Sequence, residues 1–227
     1  MKAVILAAGE GVRMRPLTLE KPKPLLEVLG KPLIAYTFES LPDSIDEVIV
    51  IVKYKEEMIR AFLGDSFMGR KVTYVVQNEL NGTAGALWLA KEFLTEKFLV
   101  VMSDDMYSKT DIERCLVHDW TMMTYQAHTS EKVGSVALNA DGTVREVVEG
   151  GAEGSADPLI NTNVFVLQPE LFNHPLVPKS IGSSEYGLPQ TLLAAVPGKV
   201  QAVEATFWLS LTEPSDIVRA EKVLSQG

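Results

Sequence analysis

The residues of this 227-residue chain whose types and spacing suggest chemistry are two glycines, a set of cations behind them, and a pair of adjacent carboxylates. Gly9 and Gly11 follow the apolar run from Ala3 to Ala8, and Arg13, Arg15, Lys21 and Lys23 follow the glycines. Glycine admits backbone conformations closed to other residues, so this turn can bring successive N–H groups against an anion while the cations close over it. That combination grips a polyphosphate. It is not a dinucleotide fingerprint, because G-x-G-x-x-G would need glycine at Met14, and Pro16, Pro22 and Pro24 interrupt the helix that should follow. A G-x-x-x-x-G-K-S/T phosphate loop is absent too. Farther on, Ser103-Asp104-Asp105 closes another apolar run, and two carboxylates at a buried strand end repel each other without a cation. Mg²⁺ is held by one or two carboxylates plus phosphate oxygens, so a nucleotide-bound Mg²⁺ is expected here. Asp105 is the weaker candidate, since a simple cap on the next turn fits it better than it fits Asp104.

These groups need a scaffold that delivers strand ends to one edge. Apolar runs predict strands at Lys2–Ala7, Glu47–Val52, Lys71–Val76 and Phe98–Met102. Helical patterns lie between them at Pro32–Leu41, Lys55–Leu63 and Thr83–Phe93, the cadence of parallel βαβ units. Ligands of such sheets collect at the carboxyl ends of the strands. After Ser108 the rhythm changes to a helix near Asp111–His118 and strands at Met122–Ala127, Gly134–Leu138, Val144–Val148 and Ile160–Leu167. A helix at Glu185–Ala195, a strand at Lys199–Ala205 and a helix at Glu213–Leu224 follow. The expected fold is α/β, with a Rossmann-like, mostly parallel central sheet flanked by helices and a small β-rich extension. One domain is expected over residues 1–227, residues 1–107 forming a nucleotide-binding half and 108–227 an acceptor-binding half.

Composition narrows the partners. With 46% hydrophobic residues the chain can bury a full core, and no apolar run approaches the length of a membrane span. The N-terminal apolar stretch stops at Gly9-Glu10, too early for a secretory signal, and the single cysteine, Cys115, suits a reducing compartment. A cytoplasmic location is expected. The net charge of −9 argues against nucleic acid, and local cations on an acidic body suit a small anionic ligand. Trp88 and Trp208 are expected in the core.

Written out, LAAGEGVRMRPLT followed by KPKPLLEVLGKPLI resembles the signature of the sugar nucleotidyltransferases, which make nucleoside-diphosphate sugars from a nucleoside triphosphate and a sugar 1-phosphate. The resemblance implies that Leu6, Ala8, Gly9, Gly11 and Arg13 hold the triphosphate, that Lys23 stands near its α-phosphate, and that Arg13 and Lys23 carry the catalysis. Gln77-Asn78-Glu79-Leu80-Asn81-Gly82-Thr83 is similar to the family's base-reading stretch, which assigns Gln77, Gly82 and Thr83 to the nucleobase, UTP or dTTP being favoured. An amide offers both donor and acceptor to a base edge. Asp104 inherits the Mg²⁺, and Glu149, Asn163 and Glu185 fall to the acceptor, a phosphorylated sugar or alcohol. Homo-oligomer formation is compatible with all of this.

The second half departs from the family pattern. Gly150 stands where a lysine is usual, Thr162-Asn163 where Thr-Gly is usual, and Ser210 where a second metal-binding aspartate is usual. These departures raise a rival reading, a catalytically impaired regulatory protein that binds a nucleotide or nucleotide sugar.

Overall fold

A computed structural model describes residues 1–127, 135–148 and 158–226. In chain order the strands are β1 (Lys2–Ala7), β2 (Glu27–Val28), β3 (Lys31–Pro32), β4 (Glu47–Val52), β5 (Ser66–Phe67), β6 (Arg70–Val76) and β7 (Phe98–Met102). Then come β8 (Asp105–Tyr107), β9 (Thr121–Gln126), β10 (Ser135–Leu138), β11 (Val144–Val148), β12 (Leu159–Leu167), β13 (Gln201–Glu204) and β14 (Trp208–Ser210). The helices are α1 (Leu33–Ser40), α2 (Glu56–Leu63), α3 (Gly82–Trp88), α4 (Lys109–Cys115), α5 (Leu188–Ala195) and α6 (Ser215–Leu224).

Eight strands form the central sheet in the order β13-β9-β12-β7-β1-β4-β6-β5. β7, β1, β4 and β6 run parallel. β12 is antiparallel to both β7 and β9. Buried on both faces, the parallel strands are continuous apolar runs whose alternate residues enter different cores. Ala3, Ile5 and Ala7 pack with Phe38 of α1, Ile59 of α2 and Ile112 of α4. Val4 and Leu6 pack on the other face with Leu87 of α3 and Leu192 of α5. Ile5, Ile49, Ile51 and Phe98 are fully buried, and each such side chain contributes about 1.5–3 kcal/mol. A third, smaller core of Met14, Leu33, Met106, Leu211 and Ala220 holds α6 and the short β2–β3 hairpin.

From β1 the chain winds through β4 and β6 on one side, then crosses to β7 on the other. The loops leaving β1 and β7 therefore diverge, and a crevice opens outside their carboxyl ends.

The second half departs from expectation in three places. β9, β12 and β13 belong to the main sheet, and β10–β11 forms an antiparallel pair of its own. β8 and β14 pair with each other, Asp105 opposite Ser210 and Tyr107 opposite Trp208. The helix expected from Glu185 starts at Leu188, because the Glu185 carbonyl accepts from Lys179 N–H and the Tyr186 backbone is bound to Asn81 and Ala84. In the first half, the helix expected over Thr83–Phe93 stops at Trp88, and a 3₁₀ turn at Lys91–Phe93 follows. No helix of the described residues is long and apolar enough to cross a membrane.

Candidate active site

The turn after β1 takes the form its glycines permit. Gly11 adopts φ 62°, and a side chain there would come within 3.0 Å of both Lys23 Cβ and Thr18 Cγ2. The Thr18 hydroxyl donates to the Gly11 carbonyl at 2.9 Å, and Met14 N–H closes a 3₁₀ turn on the same oxygen at 2.9 Å. The space beside Gly9 is open. A further 3₁₀ turn, Lys23–Leu25, folds the chain back, and Lys23 Nζ pairs with Asp104 Oδ2. Both side chains are largely sheltered, 14% and 19% exposed, so this pair is screened less than a surface one. It ties the loop leaving β1 to the loop leaving β7. Arg13 is exposed beside them and has no ion-pair partner among the described residues. Arg15 pairs with Glu10 at 3.5 Å, both about half exposed, and is a surface residue.

Asp104 and Asp105 separate cleanly. Asp104 lines the recess formed by Gly9, Gly11, Arg13 and Lys23, a space of about 270 Å³. Asp105 lies behind it, buried in β8. Burial pushes its carboxyl up to about 7, the Asp104 charge adds to the rise, and Lys23, the Ser210 hydroxyl and the Trp208 indole oppose it. Trp208 Nε1 donates to Asp105 Oδ2 at 3.2 Å. Asp105 is thus held inward by β14, and Asp104 is the carboxylate that lines the recess. Among the described residues no group of three or more His, Cys, Asp or Glu side chains could hold a metal ion. The donors present fit an ion bound largely through a ligand's phosphate oxygens and water, with Asp104 as its protein carboxylate. Ser210 adds no charge to that set.

The recess adjoins a larger cleft of about 1620 Å³, with Leu6, Gly9, Arg13, Met102 and Thr212 lining both. A single small-molecule site usually occupies about 300–1,000 Å³, so this cleft has room for two ligands side by side. Ala8, Gln77, Gly82, Thr83, Asn163 and Glu185 all line it. Gln77, at the end of β6, is 3% exposed, with its N–H on the Val52 carbonyl at 2.9 Å and its Nε2 donating to Asn81 Oδ1 at 3.1 Å. Gly82 has φ 92°, and the Thr83 hydroxyl accepts from Leu188 N–H at 3.0 Å. Glu185 is exposed on the far wall. Asn163 sits at an irregularity in β12 with φ 60°, the left-handed conformation that glycine takes freely and asparagine tolerates. Its N–H donates to Asn161 Oδ1 at 2.9 Å, and Asn161 Nδ2 returns a bond to Asn163 Oδ1 at 3.0 Å. Glu149 and Gly150 lie outside the described residues.

Several cleft residues were not singled out in the sequence. Trp208 packs against the core as expected and also borders the cleft and restrains Asp105, and Trp88 packs against Phe172. Tyr125, Asn161, Tyr186 and Arg219 also line it. Only Tyr186, adjacent to Glu185, carried any local signal. Trp208, Tyr125 and Asn161 depend on pairings between distant strands, and Arg219 on the packing of α6.

Residues 2–224 match the nucleotidyl transferase family. The bifunctional protein GlmU of Methanocaldococcus jannaschii is 29% identical over 226 residues, covering 99% of this chain and 54% of that protein. The chain spans about half the length of the GlmU relatives it matches. UTP–glucose-1-phosphate uridylyltransferase AglF of Haloferax volcanii is 30% identical over 237 residues, covering 100% of this chain and 97% of that one. Among solved structures, a Bacillus anthracis protein described as a glucose-1-phosphate thymidylyltransferase, crystallised with sucrose, superposes with a TM-score of 0.85 at 23% identity. The superposition covers 98% of this chain and 94% of that one and speaks to the fold.

Proposed function

The chain belongs to the nucleotidyl transferase family, and from that premise we propose that it transfers a nucleoside monophosphate from a nucleoside triphosphate to a sugar 1-phosphate or similar phosphorylated small molecule, releasing pyrophosphate. The observation that carries this reading is the meeting of the Gly9–Gly11 turn, Lys23 and Asp104 where β1 and β7 end, in a recess continuous with a cleft reaching Gln77, Asn163 and Glu185. A relative named for UTP and glucose 1-phosphate supports it. The regulatory reading finds no support in the fold or among the relatives. In this reading residues 1–107 serve the nucleotide and 108–227 the acceptor, within one cytoplasmic domain.

An acceptor phosphate oxygen attacks the α-phosphorus in line, and the bond to pyrophosphate breaks on the opposite side. Little covalent help is needed, so the chain's task is to orient the two ligands and offset negative charge. The turn's backbone N–H groups and Arg13 hold the β- and γ-phosphates, over a floor made by Leu6 and Ala8. Lys23 leaves Asp104 and follows the α-phosphate as a mobile point charge, while the Arg13 guanidinium can fork two oxygens. Asp104 would hold Mg²⁺, which when bound supplies Lewis-acid neutralisation of the phosphates. Gln77 offers its amide, and Gly82 its backbone, to a pyrimidine base. Glu185 and Asn163 face the acceptor.

Pyrophosphate release measured for the four triphosphates against a panel of phosphorylated sugars and alcohols, with Mg²⁺ and with chelator, tests this. Release is expected with UTP or dTTP, and chelator should abolish it. Gln77→Ala should shrink the preference among bases by about tenfold, the worth of one hydrogen bond. Triphosphate binding without release for any acceptor would overturn the reading in favour of the regulatory one.

A further inference from the structure

The stretch assigned to the base is fastened to the stretch assigned to the acceptor. Tyr186 N–H donates to the Asn81 carbonyl at 2.7 Å, and Ala84 N–H donates to the Tyr186 carbonyl at 3.1 Å. Leu188 N–H donates to Thr83 Oγ1 at 3.0 Å, across 105 residues of sequence. The approach is so close that a Cβ on Gly82 would stand 2.3 Å from the Tyr186 carbonyl oxygen and 2.7 Å from its nitrogen. Leu188 begins α5, and Gly187 before it has no side chain with which to cap that helix. The Thr83 hydroxyl fills this role from another element, satisfying an N–H that the helix itself leaves open. On one side of the junction, Asn81 Oδ1 accepts from Gln77 Nε2. On the other, Pro178 bridges Tyr186, Lys179 N–H donates to the Glu185 carbonyl at 2.8 Å, and Gly187 N–H donates to the Val177 carbonyl at 3.1 Å. Gln77 and Glu185 are therefore linked through hydrogen bonds and short runs of backbone.

We propose that this junction couples the two sides of the cleft, so that a nucleotide seated at Gln77 orders the 177–188 loop, with Thr83 and Gly82 as positioning residues for the acceptor side. The inference rests on the nucleotidyl-transfer reading. A triphosphate that fixes Gln77 restrains Asn81, and Asn81 and Thr83 restrain the loop through bonds independent of the acceptor.

Hydrogen exchange of the full chain, with and without each of the four nucleoside triphosphates, reads the coupling without turnover. Amides of residues 177–188 should exchange about threefold or more slowly when the triphosphate is bound. Thr83→Val keeps the shape and loses the acceptor oxygen. It should remove most of that protection and raise the acceptor KM about tenfold, a larger change than in triphosphate affinity. Thr83→Ser should restore both. If Thr83→Val weakened the triphosphate as much as the acceptor, Thr83 would be a nucleotide contact and the inference would fail. Triphosphate binding that leaves wild-type exchange at 177–188 unchanged would overturn the inference alone, and that measurement needs no variant. If no triphosphate bound at all, the transfer reading would fall and the inference with it.

Discussion

The parallel and antiparallel parts of the sheet supply the same cleft by different means. In the parallel part the site residues sit in the loop just beyond a strand end: Gly9 after β1, Gln77 after β6, Asp104 after β7. Their placement follows chiefly from where the parallel strands end. In the antiparallel part they sit inside or between strands, as do Asn161 and Asn163 in β12, Tyr125 in β9, and Trp208 and Ser210 in β14. There the placement depends on a local irregularity and on the pairing of three-residue strands, and these need anchors of their own. Asp111 is one anchor. It is buried in α4 and accepts from the N–H groups of Thr206 and Phe207 at 2.7 and 3.1 Å, just ahead of β14, while Arg114 pairs with it at 2.8 Å. A strand end thus carries a site residue out to the cleft directly, whereas a mid-strand site residue has to be pinned from another element.

The sharpest break between the two parts lies at the neighbours Asp104 and Asp105. On the proposed reading, Asp104→Asn should lower kcat about a thousandfold, the scale of losing one electrostatic contact to a transition state. Asp105→Asn, which can still accept from the Trp208 indole, should stay within about tenfold of wild type, one hydrogen bond's worth. Steady-state pyrophosphate release on both variants decides it, and equal losses would remove the distinction between the strand-end and pinned residues.

Asp111→Ala should cost about 3 kcal/mol, because buried N–H groups and an arginine lose their acceptor. Burial works against ionisation here, yet Arg114 and the N–H groups of Phe207 and Thr206 hold the Asp111 carboxyl below its usual range. A depressed carboxyl contributes stability above its unfolded value, about 3.9, and loses it as pH falls through the folded one. Thermal unfolding should therefore show a large gap in Tm between wild type and variant at pH 7, narrowing below about pH 4. At neutral pH the variant should bind triphosphate normally and acceptor poorly. A variant that lost triphosphate binding first would show that the anchor serves the whole cleft.

The smallest effect is expected at Asn163. Asn163→Ala should cost about 1–2 kcal/mol, since alanine pays the full penalty of the left-handed conformation, while Asn163→Gly should be near neutral. Chemical denaturation of the two variants measures this. Equal costs would mean that the side-chain bonds with Asn161, not the backbone, hold the irregularity.

The same contrast governs what could be read from the sequence. β1, β4 and β7 span the residues expected of them, because a strand buried on both faces is written as a nearly unbroken hydrophobic stretch. The glycine turn and Asp104 were legible at the ends of β1 and β7, whereas Gln77 and the role of Lys23 came from the resemblance to the family signature. β8 and β14 were not, since three residues carry no periodicity and their partners are a hundred residues apart. The bond from the Trp208 indole to Asp105 and its place at the cleft were hidden for that reason. The start of α5 was set too early, because nothing near Glu185 announces that Asn81 and Ala84 will claim the Tyr186 backbone.

Gly82 has a bearing on how such a chain can diverge. The Tyr186 backbone excludes any side chain at that position, whatever the cleft binds. A descendant that lost every phosphate contact would still be confined to glycine there by its own architecture. Arg13 is under no such constraint: exposed and unpaired among the described residues, it is free to drift once no ligand requires it. In tracing descent within this fold, the glycine at 82 would mark ancestry, and the arginine at 13 would mark continued use.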